Sequence, residues 1–305
     1  MPFRILASDK VAVASLVFLV GMVVACARGA AILPDPNFVD PLWQGVPLPP
    51  CGFSATECHG HLLGTDMIGR DFLARLCAGG IYSIIYAGTG ALMQALVGVL
   101  FAATILRLHE WRWTRWVSHL VLISCEAVAC FPLLPLLLVI TAVVAASTNM
   151  VSLGGTYLVA TAGFCLGLST ARLLVRTRLG VEGPELMAAH SADASLGLVD
   201  GRMKFGQAAV VTTVRAIATI LILESTISFY GFGVQPPTAD WGNLLTYVIS
   251  DWTAFQVPAI RLLPGICIAA VAFALYVLSD GIKSAFLLDN GVALGKNSNR
   301  KVENA

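Results

Sequence analysis

Apolar positions in this chain do not alternate or recur on one face; they run on. Six runs are each long enough, at about 20 mostly apolar residues, to span a bilayer as a helix: 11–33, 81–106, 117–146, 150–172, 208–233 and 259–279. The pattern therefore predicts an all-α integral membrane protein with six transmembrane helices. The first run is interrupted by Arg28, which can snorkel to an interface. Ala25-Cys26-Ala27 has the small residues of a leader cleavage site, but the apolar run continues to Leu33, so a spanning helix is the expectation.

Polar intervals carry the topology. Residues 34–62 are rich in Pro, Gly and aromatic side chains and read as irregular. From Gly64 to Gly80 the chain reads as the approach to the second span, with Asp66 and Asp71 as caps and Phe72, Leu73 and Leu76 on one helical face. Lys and Arg concentrate in alternate intervals: Arg4 and Lys10, then Arg107, Arg112 and Arg115, then Arg176, Arg178, Arg202 and Lys204, then Lys283, Lys296, Arg300 and Lys301. Segments 147–149 and 234–258 have none. This bias predicts that both termini are cytoplasmic and that 34–80 and 234–258 lie outside. The expected organisation is a cytoplasmic N-terminus and first helix (1–33), an extracytoplasmic loop (34–80), a transmembrane core (81–280) with a cytoplasmic loop at 182–207, and a polar tail (281–305).

Composition agrees. The 305 residues are 57% hydrophobic and 12% charged, with net charge +1, whereas soluble domains are about 25% charged. A nearly neutral balance gives no sign of nucleic-acid binding. Of the eight cysteines, most lie inside apolar runs and read as small hydrophobes. Cys51 and Cys58 share a polar loop, and in an oxidising compartment a Cys51–Cys58 disulfide is expected. With His59 and His61 they are metal ligands by type, but their spacing matches no zinc pattern, so no metal site is expected.

Three charges fall within apolar runs: Glu126, Arg215 and Glu224. Such charges are costly in a membrane and face a cavity or a partner. Nine helical steps put Arg215 and Glu224 on opposite faces. Substrate contact, interhelical pairing and pairing between subunits all remain open, with structural pairing favoured. Gly163, Gly167 and Ala171 form a stripe of small residues that lets helices approach closely, within the chain or between chains.

Two blocks are too specific for generic loops. One is His61-Leu-Leu-Gly64-Thr65-Asp66-Met-Ile-Gly69-Arg70-Asp71. The other runs from Glu224 through Ser228-Phe-Tyr-Gly231-Phe-Gly233-Val-Gln235-Pro236-Pro237-Thr-Ala-Asp-Trp241-Gly242-Asn243-Leu-Leu245. Together they resemble the C-type membrane permease subunit of dipeptide, oligopeptide and nickel ABC importers. The resemblance covers the chain from about the first span to Asp280. It implies a type I importer fold in an inner (cytoplasmic) membrane of bacterial or archaeal type, with this chain forming half of the translocation pathway. It also implies the partners: a homologous second permease subunit, two ATPase subunits and an extracytoplasmic substrate-binding protein. No cofactor is expected on this chain, since it has no Walker A sequence; ATP and magnesium would sit on the ATPase partners, and the subunit itself would not be an enzyme.

In that family the main cytoplasmic loop docks on the ATPase through a short coupling helix. Leu186, Met187, Ala188, Ala189, His190, Asp193, Ala194, Ser195 and Arg202 align with it. Met187 stands where the family has Glu, and Asp193 where it has Gly. Losing the acid removes an ion pair, and Asp enters a left-handed turn at some cost. The rival expectation is an ion-coupled secondary transporter using Glu126 and Glu224; the lack of a visible internal repeat or paired broken helices argues against it. A structural membrane scaffold without transport is a third class.

Overall fold

The computed structural model describes residues 5–7, 9–45, 47–48, 50–51, 60–148, 154–179, 203–250 and 262–290. Among them are eight helices: α1 (Lys10–Ile32), α2 (Phe72–Glu110), α3 (Arg115–Cys130), α4 (Leu133–Thr148), α5 (Gly154–Leu179), α6 (Phe205–Phe229), α7 (Trp241–Ser250) and α8 (Leu263–Asp289). No named strand occurs among the described residues; two isolated bridges, Val39 with Arg70 and Thr65 with Asp71, tie the first loop together.

Five helices (α1, α2, α5, α6 and α8) are long and apolar enough to cross a membrane, and α3 with α4 makes a sixth span only as a bent pair. The third apolar run is thus not the single helix that its hydropathy predicts. Its halves meet at 88°. Pro132 supplies the reason: it has no N–H to donate, and its ring bars the residue before it from helical backbone. Phe131 accordingly sits at φ −75° and ψ 135°. The second span extends beyond its apolar run, starting directly after the Asp71 cap that the sequence marks. Its helix begins at Phe72 rather than near 81, so the approach segment is helical from there and the expected boundary at 80 falls inside α2. With 39 residues, α2 is about 58 Å long at 1.5 Å per residue, about twice a hydrocarbon core. Asp71 starts it by accepting the Ala74 N–H at 2.7 Å.

The bundle is organised by α2, which packs most extensively on α5 and then on α6, while α8 joins α6 to α1. Small residues make the α2–α5 contact. A Cβ on Gly163 would come within 2.7 Å of the Gly90 carbonyl, and one on Gly167 within 2.6 Å of the Val97 Cβ. The small-residue stripe of α5 therefore serves packing inside this chain. Because lipid tails are as apolar as the side chains, such close packing, not water exclusion, holds the helices together. One polar clasp adds to it: Gln94 Nε2 donates to Thr170 Oγ1 at 2.5 Å, with both residues buried.

Candidate functional site

The two distinctive sequence blocks meet at one end of the bundle. The block at 61–71 folds as a chain of turns. Asp66 is not a helix cap here; it closes a turn by accepting the backbone N–H of Ile68 (3.0 Å) and of Arg70 (2.9 Å). The same carboxylate pairs with Arg70 at 2.7 Å and with Arg75 at 3.4 Å. Thr65 Oγ1 accepts the Leu48 N–H at 2.8 Å, and Gly64 and Gly69 adopt positive φ. At Gly69 a side chain is doubly excluded, by a φ of +82° and by the Trp43 side chain 2.6 Å from where its Cβ would lie.

His61 lies between two carboxylates, with Nδ1 at 2.7 Å from Asp71 Oδ2 and Nε2 at 2.9 Å from Asp40 Oδ2. Both ring nitrogens act as donors only in the imidazolium form. Burial works against that charge, but the hydrogen bonds and charges of Asp71 and Asp40 outweigh it and raise the His61 pKa above its ordinary value.

The second block begins within α6. Glu224 is fully buried, and its carboxylate accepts from the hydroxyls of Ser225 (3.4 Å) and Ser228 (3.3 Å). Ser228 Oγ in turn accepts the Val234 N–H at 3.1 Å, which folds the turn after α6 back onto it. Gln235 Nε2 holds the same turn through the Gly231 carbonyl at 2.5 Å. Gly231 has positive φ, and Pro236-Pro237 is a cis bond. Beyond it Asp240 and Asn243 cap α7 reciprocally: Asp240 Oδ1 accepts the Asn243 N–H (2.7 Å), and Asn243 Oδ1 accepts the Asp240 N–H (3.2 Å). Burial pushes the Asp240 carboxyl up to about 6, against hydrogen bonds to Asn243, Ser228 and Gly242 and the charge of Arg75 that pull it down. Gly242 fits where a Cβ would press on the Ser225 carbonyl and, at 2.8 Å, on the Ser228 Cβ.

Joining the blocks falls to α2. Trp241, fully buried, donates Nε1–H to the Leu76 carbonyl at 3.0 Å and its backbone N–H to Ser83 Oγ at 3.1 Å. Gly79 and Gly80 leave room for Asp240 and the indole ring. Arg75, also fully buried, reaches the carbonyls of Pro36 (3.2 Å) and Pro237 (3.3 Å) with one Nη1. The start of the first loop, at Pro36, and loop 230–240 are thus clamped to each other through the first turns of α2, from Arg75 to Ser83.

The intramembrane charges are accounted for individually. Glu126 of α3 bonds Arg176 of α5 at 2.6 Å. Arg215 of α6 bonds Asp280 of α8 at 3.1 Å and lies 5.1 Å from the centroid of the Tyr276 ring. Arg215 and Glu224 engage different partners. Cys51 is disulfide-bonded; its expected partner Cys58 lies outside the described residues, as do Leu186, Met187, Ala188, Ala189, His190, Asp193, Ala194, Ser195 and Arg202 of the cytoplasmic loop. Among the described residues no cluster of three or more His, Cys, Asp or Glu could hold a metal.

Sequence reasoning did not single out Arg75, Ser83, Ser225, Ser228 or Asp240 as site residues. Two signals were available. Arg75 is a cation one turn into an apolar helix, and Asp240 precedes Asn243 at capping spacing before Leu244, Leu245, Val248 and Ile249, which marks a helix start inside the expected loop 234–258.

Two cavities complete the picture. An apolar groove of about 640 Å³ opens between α6, α7 and α8, lined by Phe229, Leu245, Ile268 and Phe273 among others. At the far end of α2 a cavity of about 520 Å³ is lined by Arg107, His109, Glu110 and Arg178 over Leu106 and Phe205.

Long apolar helices, small-residue packing and buried ion pairs define a multi-pass membrane protein. Its relatives narrow the class. No family model matches the chain. A Brucella suis biovar 1 protein named as a peptide permease is 28% identical over 231 residues, 74% of this chain and 72% of the relative. A second protein of that organism, named for a peptide transport system permease, is 28% identical over 232 residues, 73% of this chain and 72% of its own length. The glutathione transport system permease protein of Pectobacterium atrosepticum is 27% identical over 232 residues, 74% of this chain and 71% of its own length. The resemblance to importer permeases carried by the two sequence blocks is borne out by these relatives.

Proposed function

We propose that this chain is the permease subunit of an ATP-driven importer of di- or oligopeptides or similar small solutes, and that it forms half of the translocation pathway. One observation carries the reading furthest: blocks about 160 residues apart, each resembling the importer family, form a single buried clamp through Arg75 and Trp241. The names of the relatives support peptide-like cargo. On this reading the clamp end faces outward and receives a substrate-binding protein. The end that carries Arg107, Arg112, Arg115, Arg178 and Lys204 faces the cytoplasm, in keeping with the excess of basic residues there. The bent α3–α4 pair then counts as the third of six spans, in an inner membrane, with both termini inside.

A homologous permease subunit completes the pathway, and two ATPase subunits, which hold ATP and magnesium, dock on the coupling helix around Leu186 to Leu196. ATP binding closes the ATPase pair and rocks the bundle outward, solute passes from the binding protein into the cavity, and hydrolysis resets it. The subunit does no chemistry itself. Ion-coupled transport is less well supported, because Glu126 is engaged by Arg176 and Glu224 by two serines.

The test is affinity purification of the full chain from native membranes in mild detergent, with co-purifying chains identified by mass spectrometry. A second multi-span permease and an ATPase are the expected companions. The chain alone, with no ATP-dependent uptake, overturns the reading.

A further inference from the structure

The turn between α2 and α3 reads Glu110-Trp111-Arg112-Trp113-Thr114-Arg115-Trp116. Its three tryptophans are 70, 89 and 68% exposed. Large aromatic rings left open in a short stretch mark an interaction surface. The turn itself is firmly built: Thr114 Oγ1 donates to the Leu108 carbonyl at 2.7 Å, and the Thr114 N–H donates to the Trp111 carbonyl at 3.1 Å. His109 and Ser118 close its base at 3.4 Å. The aromatic surface is therefore presented by a defined scaffold.

An exposed apolar line continues from the turn along α3. Leu120 and Ile123, one and two turns beyond Trp116, are 56 and 61% exposed, whereas Ser118 and Cys125 on the opposite side are buried. A tryptophan that ends a lipid-facing stripe sits at headgroup level, where its ring meets acyl chains and its N–H meets polar oxygens. Arg112 and Arg115 alternate with the rings and have no side-chain partner among the described residues. Between Arg107 and Trp116 the sequence sets three arginines against one acid, Glu110.

We propose that this turn is a docking site for anionic phospholipid of the surrounding bilayer. The indole rings seat at the headgroup boundary while Arg112 and Arg115 bind the phosphate and its excess negative charge. Nothing in this assignment depends on the solute carried or on ATP.

The full chain, purified with whatever subunits accompany it, is placed in phosphatidylcholine nanodiscs that carry a fixed share of brominated lipid. That lipid is phosphatidylglycerol in one arm and phosphatidylcholine in the other, and tryptophan quenching is read. Brominated phosphatidylglycerol should quench more strongly. An arginine at an anionic surface is worth about 1 kcal/mol, about fivefold, so Arg112→Gln with Arg115→Gln should lower the relative association of phosphatidylglycerol roughly 30-fold. Arg112→Lys with Arg115→Lys should retain most of the preference, which separates lost charge from lost folding. Equal quenching by the two lipids, or a preference untouched by the glutamine pair, overturns the proposal. Loss of the preference on adding inorganic phosphate overturns it too, since the turn would then be a site for any phosphate anion.

Discussion

Arg75 offers the sharpest test of how the two loops are joined. Arg75→Met keeps the side-chain stem and removes the guanidinium. It deletes the bonds to the Pro36 and Pro237 carbonyls, a 3.4 Å bond to Asn37 Oδ1 and the 3.4 Å ion pair with Asp66. Breaking a buried pair by removing one partner costs about 3–5 kcal/mol. Asp66 retains Arg70 at 2.7 Å, so the low end, about 3 kcal/mol, applies, or about 150-fold in an opening equilibrium. Hydrogen exchange read by mass spectrometry on the full chain in detergent should show amides at 34–45 and 231–240 exchanging about 100-fold faster or more. Residues 90–102 of α2, packed on α5, should be unchanged. Arg75→Lys should recover only part of the protection, because an ammonium lacks the planar fork that reaches several acceptors at once. Acceleration in only one of the two loops, or in neither, would refute the clamp.

Three further outcomes are expected. Because the His61 pKa is raised, its contribution to stability is fully present below about 6.5 and fades as pH rises through the raised value. Asp240, with its carboxyl raised to about 6, gains stability as pH falls toward about 4. Thermal unfolding followed from about pH 8 down to about pH 5 should therefore show a firmer fold on the acid side, flattened in its upper part by His61→Gln; a level profile contradicts both assignments. Gly242→Ala should cost about 1–3 kcal/mol because the new methyl group meets backbone, whereas Gly88→Ala, with open space around it, should be neutral or stabilising by up to about 1 kcal/mol; equal melting shifts would refute the packing at the α6–α7 junction. Glu126→Gln and Arg176→Gln, combined in a double-mutant cycle, should show a favourable coupling of at least about 1 kcal/mol, since a charge left alone within a span has little water to replace its partner.

Hydropathy located the helices well wherever a run was uniformly apolar. α1 and α6 follow their runs closely because neither helix contains a proline. Hydropathy failed at Pro132, which is apolar enough to leave the run unbroken and yet ends a helix. The start of α2 lies outside its apolar run, and it was the Asp71 cap and the face of Phe72, Leu73 and Leu76, not hydropathy, that marked it. Its first turns carry Arg75, Gly79 and Gly80, which lower hydropathy; the helix forms there despite the cost of two glycines because the Asp71 cap and Trp241 hold it.

By itself the sequence determined that the chain is helical and membrane-embedded, because only helices with internally satisfied backbones suit such long apolar runs. It also held the two blocks that carry the resemblance to importer permeases, legible because glycines, prolines and caps at fixed spacing encode local turns. The tertiary structure alone decided that those blocks form one object, that Glu126 and Arg215 find partners on other helices, and that the small-residue stripe packs inside the chain. Each of these depends on contacts between residues far apart in sequence, and spacing along a chain carries no record of which distant group will complete a buried charge or fill the space beside a glycine.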